Sequence, residues 1–86
     1  MKEKSLSTTE RLIQIVSSKF RIPKRYILEH LQCPLNGDDL RFDSIDMVYF
    51  VLEIVKEFGI TVTDAMVENC AYWSIQDYAK HLETIV

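Results

Sequence analysis

Apolar positions along the chain fall mostly at helical spacing. Leu12, Ile13, Val16 and Phe20 recur every three or four residues, the signature of one buried helix face. Thr8 or Thr9 is placed to cap that helix, and the segment before it, 1–7, reads as a flexible tail. Pro23 ends the helix, because proline disfavours helical geometry in the residue before it, and it opens a short helical turn through Ile27 and Leu28. Residues 30–42, HLQCPLNGDDLRF, carry Pro34, Asn36 and Gly37 and read as a long loop. Its apolar Leu31, Leu35, Leu40 and Phe42 predict a loop packed on the body. Ordered loops of this length are often functional.

A second long helix starts at Asp43 or Ser44 and ends near Phe58, with Gly59 suited to the left-handed position beyond it. Ile60 and Val62 form a short extended pair. Thr63 or Asp64 caps a brief helix, DAMVENC, and Ser74 caps the last one, with Asp77 three residues on as in a capping box. Ile75, Tyr78, Ala79, Leu82 and Ile85 give that last helix its apolar stripe. Three long helices and one or two short ones predict an all-α bundle over residues 8–86.

The second long helix carries more apolar surface than a core needs. On a wheel of about 100° per residue, Met47, Phe50, Val51, Ile54 and Phe58 share one sector, which suits the core. Asp46, Glu53 and Glu57 are placed opposite it, with Tyr49 and Lys56 at the edge. Ile45, Val48, Leu52 and Val55 fill a further apolar sector, and Ser44 projects near the boundary between the two. Two readings are open. The loop at 30–42 covers the surplus, or the surplus is a docking face for a partner. Ser44 at the helix start is an ordinary N-cap on the first reading. On the second, a phosphodiester attached to it would meet free N–H groups and the positive end of the helix dipole.

Composition narrows the field. The chain has 86 residues, 48% hydrophobic and 27% charged, with a net charge of −3, which fits one small globular domain. No basic patch of the kind a nucleic-acid binder shows stands out, and no apolar run is long enough to span a membrane. The N-terminus has no secretory apolar region, so a cytoplasmic protein is expected. Cys33 and Cys70 lack metal-ligand spacing and read as reduced structural thiols, with a disulfide or a reactive thiol as the alternative. His30 and His81 are isolated, and no catalytic constellation is evident, so the chain is not expected to be an enzyme.

The run Asp43-Ser44-Ile45-Asp46 resembles the Asp-Ser-Leu-Asp motif of acyl carrier proteins. Glu57-Phe58-Gly59-Ile60-Thr61-Val62 resembles the family's Glu-Phe-Gly-Ile-x-Ile, and Ser74-Ile75-Gln76-Asp77 its Thr-Val-x-Asp. Glu10-Arg11-Leu12 and the apolar residues after it are similar to the family's first helix. The resemblance implies an acyl-carrier-like four-helix bundle with a long ordered loop between helices one and two. It implies 4′-phosphopantetheine on Ser44, transferred from coenzyme A by a phosphopantetheinyl transferase. The arm would carry an acyl or aminoacyl group to a ligase, synthase or transferase. Asp43 and Asp46 would help recruit the phosphopantetheinyl transferase, and Ile45, Val48, Tyr49, Leu52, Glu53 and Val55 would line the docking face. A monomer without metal is expected.

The sequence also departs from the family. Tyr49, Val55 and Lys56 replace part of the usual acidity of helix two, which implies a specialised partner. Phe42 stands where a small or apolar residue is common, to pack over the loop or to hinder the transferase. Tyr72 and Trp73 read as core or lid residues. An armless adaptor that keeps the docking helix is the alternative function.

Overall fold

The computed structural model describes residues 7–69 and 72–85. Among them are five helices: α1 (Thr8–Lys19), α2 (Lys24–Glu29), α3 (Ser44–Phe58), α4 (Asp64–Asn69) and α5 (Ile75–Ile85). The all-helical bundle with a long loop between α2 and α3 is the expected architecture.

Local chemistry sets most boundaries. The N-cap of α1 is Ser7, one residue before the two threonines expected to serve. Its hydroxyl accepts from Glu10 N–H at 3.1 Å and Glu10 Oε1 accepts from Ser7 N–H at 2.9 Å. Ser7 has the glutamate three residues on that a capping box needs, and neither threonine does. Ser7 therefore belongs to the bundle rather than to a tail, and the rest of the expected tail, 1–6, lies outside the described residues. Thr63 caps α4 through its hydroxyl, which accepts from Met66 N–H at 3.2 Å. Ser74 and Asp77 form the expected reciprocal cap of α5, both bonds at 3.1 Å. Gly59 closes α3 at φ 64°, where any residue with a Cβ is strained by about 1–2 kcal/mol.

Two arginines adopt the same left-handed backbone, Arg21 at φ 57° and Arg41 at φ 56°. Arg21 follows the last turn of α1, and Arg41 precedes α3. Glycine or asparagine would adopt either backbone with less strain.

The core is built around Phe50, fully buried on α3. Its ring meets Tyr78 of α5 at 5.2 Å, Phe42 of the loop at 5.9 Å and Phe20 beyond α1 at 6.2 Å. Phe20 and Phe42 also meet each other at 4.6 Å. Leu12, Val16, Ile27, Ile54, Met66, Ile75 and Leu82 are among the other fully buried side chains, with Trp73 partly buried beside Tyr78 at 5.1 Å. Tyr72, expected as core or lid, is instead 71% exposed. The turn that hydrogen-bonds both Tyr72 N–H and Trp73 N–H to Asn69 O turns only the tryptophan inward. Ile85, at the end of the α5 stripe, is also exposed.

The loop at 30–42 is packed as expected, with Leu35, Leu40 and Phe42 buried. Backbone bonds tie it to the start of α5: Leu35 N–H to Trp73 O and Gln76 N–H to Leu31 O, both 3.1 Å. Phe42 packs inward rather than across the helix start. Phe50→Ala would remove the ring on which these segments converge. The expected loss is about 3–5 kcal/mol, a large share of the stability of a small domain. A loss under about 1 kcal/mol in urea unfolding would contradict this packing.

Candidate functional site

The start of α3 is fixed by two acids, not by its serine. Asp43 is the N-cap, and its Oδ1 accepts from Asp46 N–H at 2.8 Å. Asp46 Oδ2 accepts from Asp43 N–H at 3.1 Å. This reciprocal cap satisfies two donors that a helix start otherwise leaves open. Ser44 is the first helical residue. Its side chain is exposed and takes no part in the cap. Among the described residues its hydroxyl has no hydrogen-bond partner. The cap reading of Ser44 is thus replaced by one in which its oxygen is left to solvent.

The surplus apolar sector of α3 is not covered by the loop. Ile45 is 75% exposed, Val48 61% and Leu52 56%. The loop misses them because its backbone bonds hold it to the start of α5. Val55 is half-buried, and Tyr49, 42% exposed, lays its ring edge against Phe20 at 5.5 Å. Ser44, Ile45, Val48 and Leu52 therefore share open surface. The wheel's core sector is confirmed: Met47, Phe50 and Ile54 are buried, and Val51 and Phe58 partly so.

The acids of α3 stand differently from expectation. The wheel placed Glu53 on the face opposite the core, yet its side chain is only 12% exposed. It lines a cleft with Arg11, Gln14, Ser18 and Lys19 of α1, and lies 3.8 Å from Lys56. Glu57 accepts from Arg11 Nε at 3.0 Å, and the Arg11 guanidinium lies 4.1 Å from the Phe58 ring centre. Packing of α1 along that flank explains the difference, since it covers the sector that the wheel of α3 alone left open. The outward row is apolar, with Lys56 at its end.

Among the described residues, the remaining polar groups build no second site. His30 Nδ1 lies 2.7 Å from Tyr26 O, and His81 Nε2 lies 2.8 Å from the Thr63 hydroxyl. Cys33 is a free thiol, while Cys70 lies outside the described residues. Partial burial, then a hydrogen bond and repulsion from the Asp39 carboxylate, push the Cys33 thiol above its ordinary range. That holds it away from the thiolate and from nucleophilic work. No cluster of metal-ligating side chains occurs among the described residues, and no helix there is long and apolar enough to cross a membrane.

The sequence profile of the family described as "phosphopantetheine attachment site" matches residues 10–82. The chain belongs to this family. Its members carry 4′-phosphopantetheine covalently, so the chain is a phosphopantetheine carrier, as its resemblance to acyl carrier proteins implied. Such carriers work with phosphopantetheinyl transferases and partner enzymes, and are typically not catalytic themselves. A comparison with curated protein sequences finds no significant match.

A phosphodiester fits what stands at the start of α3. The hydroxyl is exposed, and the cap bonds engage the N–H groups of Asp43 and Asp46 rather than those of Ser44 and Ile45. First-turn N–H groups and the helix dipole favour a negative charge there. The division of labour between the two neighbours is testable by thermal unfolding. Asp43→Ala is expected to lose about 0.5–2 kcal/mol through the cap. Ser44→Ala is expected to stay within about 0.5 kcal/mol of the parent. Equal losses would mean that Ser44 supports the cap after all.

Proposed function

We propose that Ser44 is the attachment point of 4′-phosphopantetheine, and that the carrier delivers an acyl or aminoacyl group to partner enzymes of a dedicated biosynthetic or peptide-modifying pathway. The observation that carries this reading is the exposed Ser44 hydroxyl, released from capping by Asp43, beside an uncovered apolar row. When bound, the arm supplies a thiol that holds the cargo as a thioester, so the chemistry lies with the arm and the partner enzymes. The protein contributes placement. Asp43 and Asp46 hold the helix start rigid, so that Ser44 is presented in one geometry. They also put two carboxylates beside the hydroxyl that a phosphopantetheinyl transferase must reach.

Ile45, Val48, Tyr49 and Leu52 form the docking row in this reading, with Val55 at its inner margin. Glu53 has a smaller part than the sequence suggested, because its side chain is turned into the cleft with α1. Asp-Ser-Ile-Asp is closer to acyl carriers than to peptidyl carriers, which favour Gly-Gly-x-Ser.

Intact mass after incubation with coenzyme A and a broad-specificity phosphopantetheinyl transferase tests the proposal. The expected result is a gain of one phosphopantetheine, lost in Ser44→Ala. If the arm is absent there and also from protein purified from its native host, the armless adaptor takes the proposal's place. The docking row has its own test. Val48→Asp and Leu52→Asp, both at exposed positions, are expected to lower the rate of modification about tenfold without loss of fold. Unchanged rates would remove the row from transferase recognition.

A further inference from the structure

The reciprocal cap and the burial of Phe42 hold Ser44, but the stretch just before them is anchored differently. Of residues 37–41 only Leu40 is buried, and Asp38, Asp39 and Arg41 are exposed. The turn is closed by Arg41 N–H to Gly37 O at 2.8 Å and by Arg41 Nε to Asp38 O at 3.0 Å. Arg41 keeps its left-handed φ of 56° within it. A residue with a Cβ stays in that conformation where its surroundings hold it there.

The helix α2 supplies such a hold. The Tyr26 hydroxyl donates to Asp39 O at 2.6 Å, a bond between residues 13 apart in the chain. The tyrosine is itself fixed by His30, one helical turn on. The two rings lie 4.1 Å apart with 30° between their planes, and His30 Nδ1 donates to Tyr26 O at 2.7 Å. The other imidazole nitrogen, Nε2, lies 3.6 Å from Asp39 Oδ1. Asp39 therefore meets α2 and its cap through both its peptide and its carboxylate. Tyr26 is 37% exposed and lies outside the buried core. Its hydroxyl thus acts on the turn rather than on the packing of the interior.

The place of the turn gives the bond its consequence. Arg41 is three residues from Ser44, so their Cα atoms are at most about 11 Å apart. An enzyme that encloses Ser44 covers about 800 Å² of this chain, a patch on the order of 30 Å across. The Arg41 end of the turn stands within that patch. We propose that Tyr26 is a positioning residue for the modification of Ser44, acting through the Asp39 peptide to keep the 37–41 turn in the shape that a phosphopantetheinyl transferase meets. The cap and Phe42 place the Ser44 hydroxyl, and Tyr26 places the surface beside it. These two contributions act on different constants. A loosened turn has to be ordered when the transferase binds, which weakens binding and leaves the transfer step as it was. The inference rests on Ser44 as the attachment point.

The test compares the full chain with Tyr26→Phe, which keeps the ring against His30 and removes only the hydroxyl. Transfer of phosphopantetheine is followed by intact mass, with the broad-specificity transferase, saturating coenzyme A and varied carrier. The expected result is a KM for the carrier raised about three- to tenfold, with kcat within about twofold of the parent. Amide exchange on ¹⁵N-labelled protein is the second readout. The Arg41 N–H is expected to exchange at least about fivefold faster in Tyr26→Phe. The Met47 N–H, bonded to Asp43 O at 3.0 Å in the first turn of α3, is expected to exchange as in the parent. An unchanged KM or a lowered kcat would overturn the proposal. So would faster exchange at Met47 as well as Arg41, which would make the effect one of general stability. A raised KM with unchanged exchange at Arg41 would overturn it too, because the hydroxyl would then touch the transferase itself. If the parent chain carries no arm, either in this reaction or from its native host, the Ser44 reading falls and this one with it. A modified parent whose Tyr26→Phe variant behaves identically overturns this one alone.

Discussion

Phe50 meets aromatic rings from three separate segments, and the shape of the Ser44 end follows from that contact. Phe20 brings the end of α1, Phe42 brings the end of the loop, and Tyr78 brings α5. Edge-to-face contacts of this kind add about 0.5–1.5 kcal/mol each beyond the area they bury. Their larger effect is positional. With Phe42 drawn inward, the two residues that follow it emerge at the surface as Asp43 and Ser44. The helix then starts where the core dictates, and the reciprocal cap fixes its first turn.

Much of this was legible because it is local. Gly59 and the Ser74–Asp77 pair announce their positions by residue type and spacing, and the wheel of α3 separates its core stripe from its surplus without any partner in view. The cap at Ser7 also has a local signal, a glutamate three residues on, but Thr8 and Thr9 are equally good capping residue types nearer the apolar run. The loop was read correctly as packed, but not the surface it packs on. That depends on backbone bonds to Leu31 and Leu35 from the start of α5, which no local pattern specifies. Glu53 is a similar case, because only the placement of α1 turns an outward-looking residue into a cleft residue. The left-handed arginines carry no signal at all, since residue type argues against that backbone.

Charge on α3 shows how packing rewrites a sequence reading. Read alone, the helix has three acids and one lysine, a mildly acidic surface. In the fold, one acid serves the cap, one lies in the cleft near Lys56, and one is matched by Arg11. Exposed ion pairs of this sort contribute little to stability, about 0–1 kcal/mol each. Their consequence is for recognition, because a carboxylate already matched within the chain has less field to offer a partner.

The bonds between the loop and the start of α5 have a consequence for how the chain assembles. They join residues 31 and 35 to residues 76 and 73, so α3 and α4 lie within a segment whose two ends are tied together. Closing so long a loop costs entropy before any contact can repay it. The tie therefore adds a long-range contact to a chain whose α1–α2 contacts are short-range, which raises its contact order and slows folding. The final helix acts as a latch. Without it, residues 30–42 would lack these two anchors.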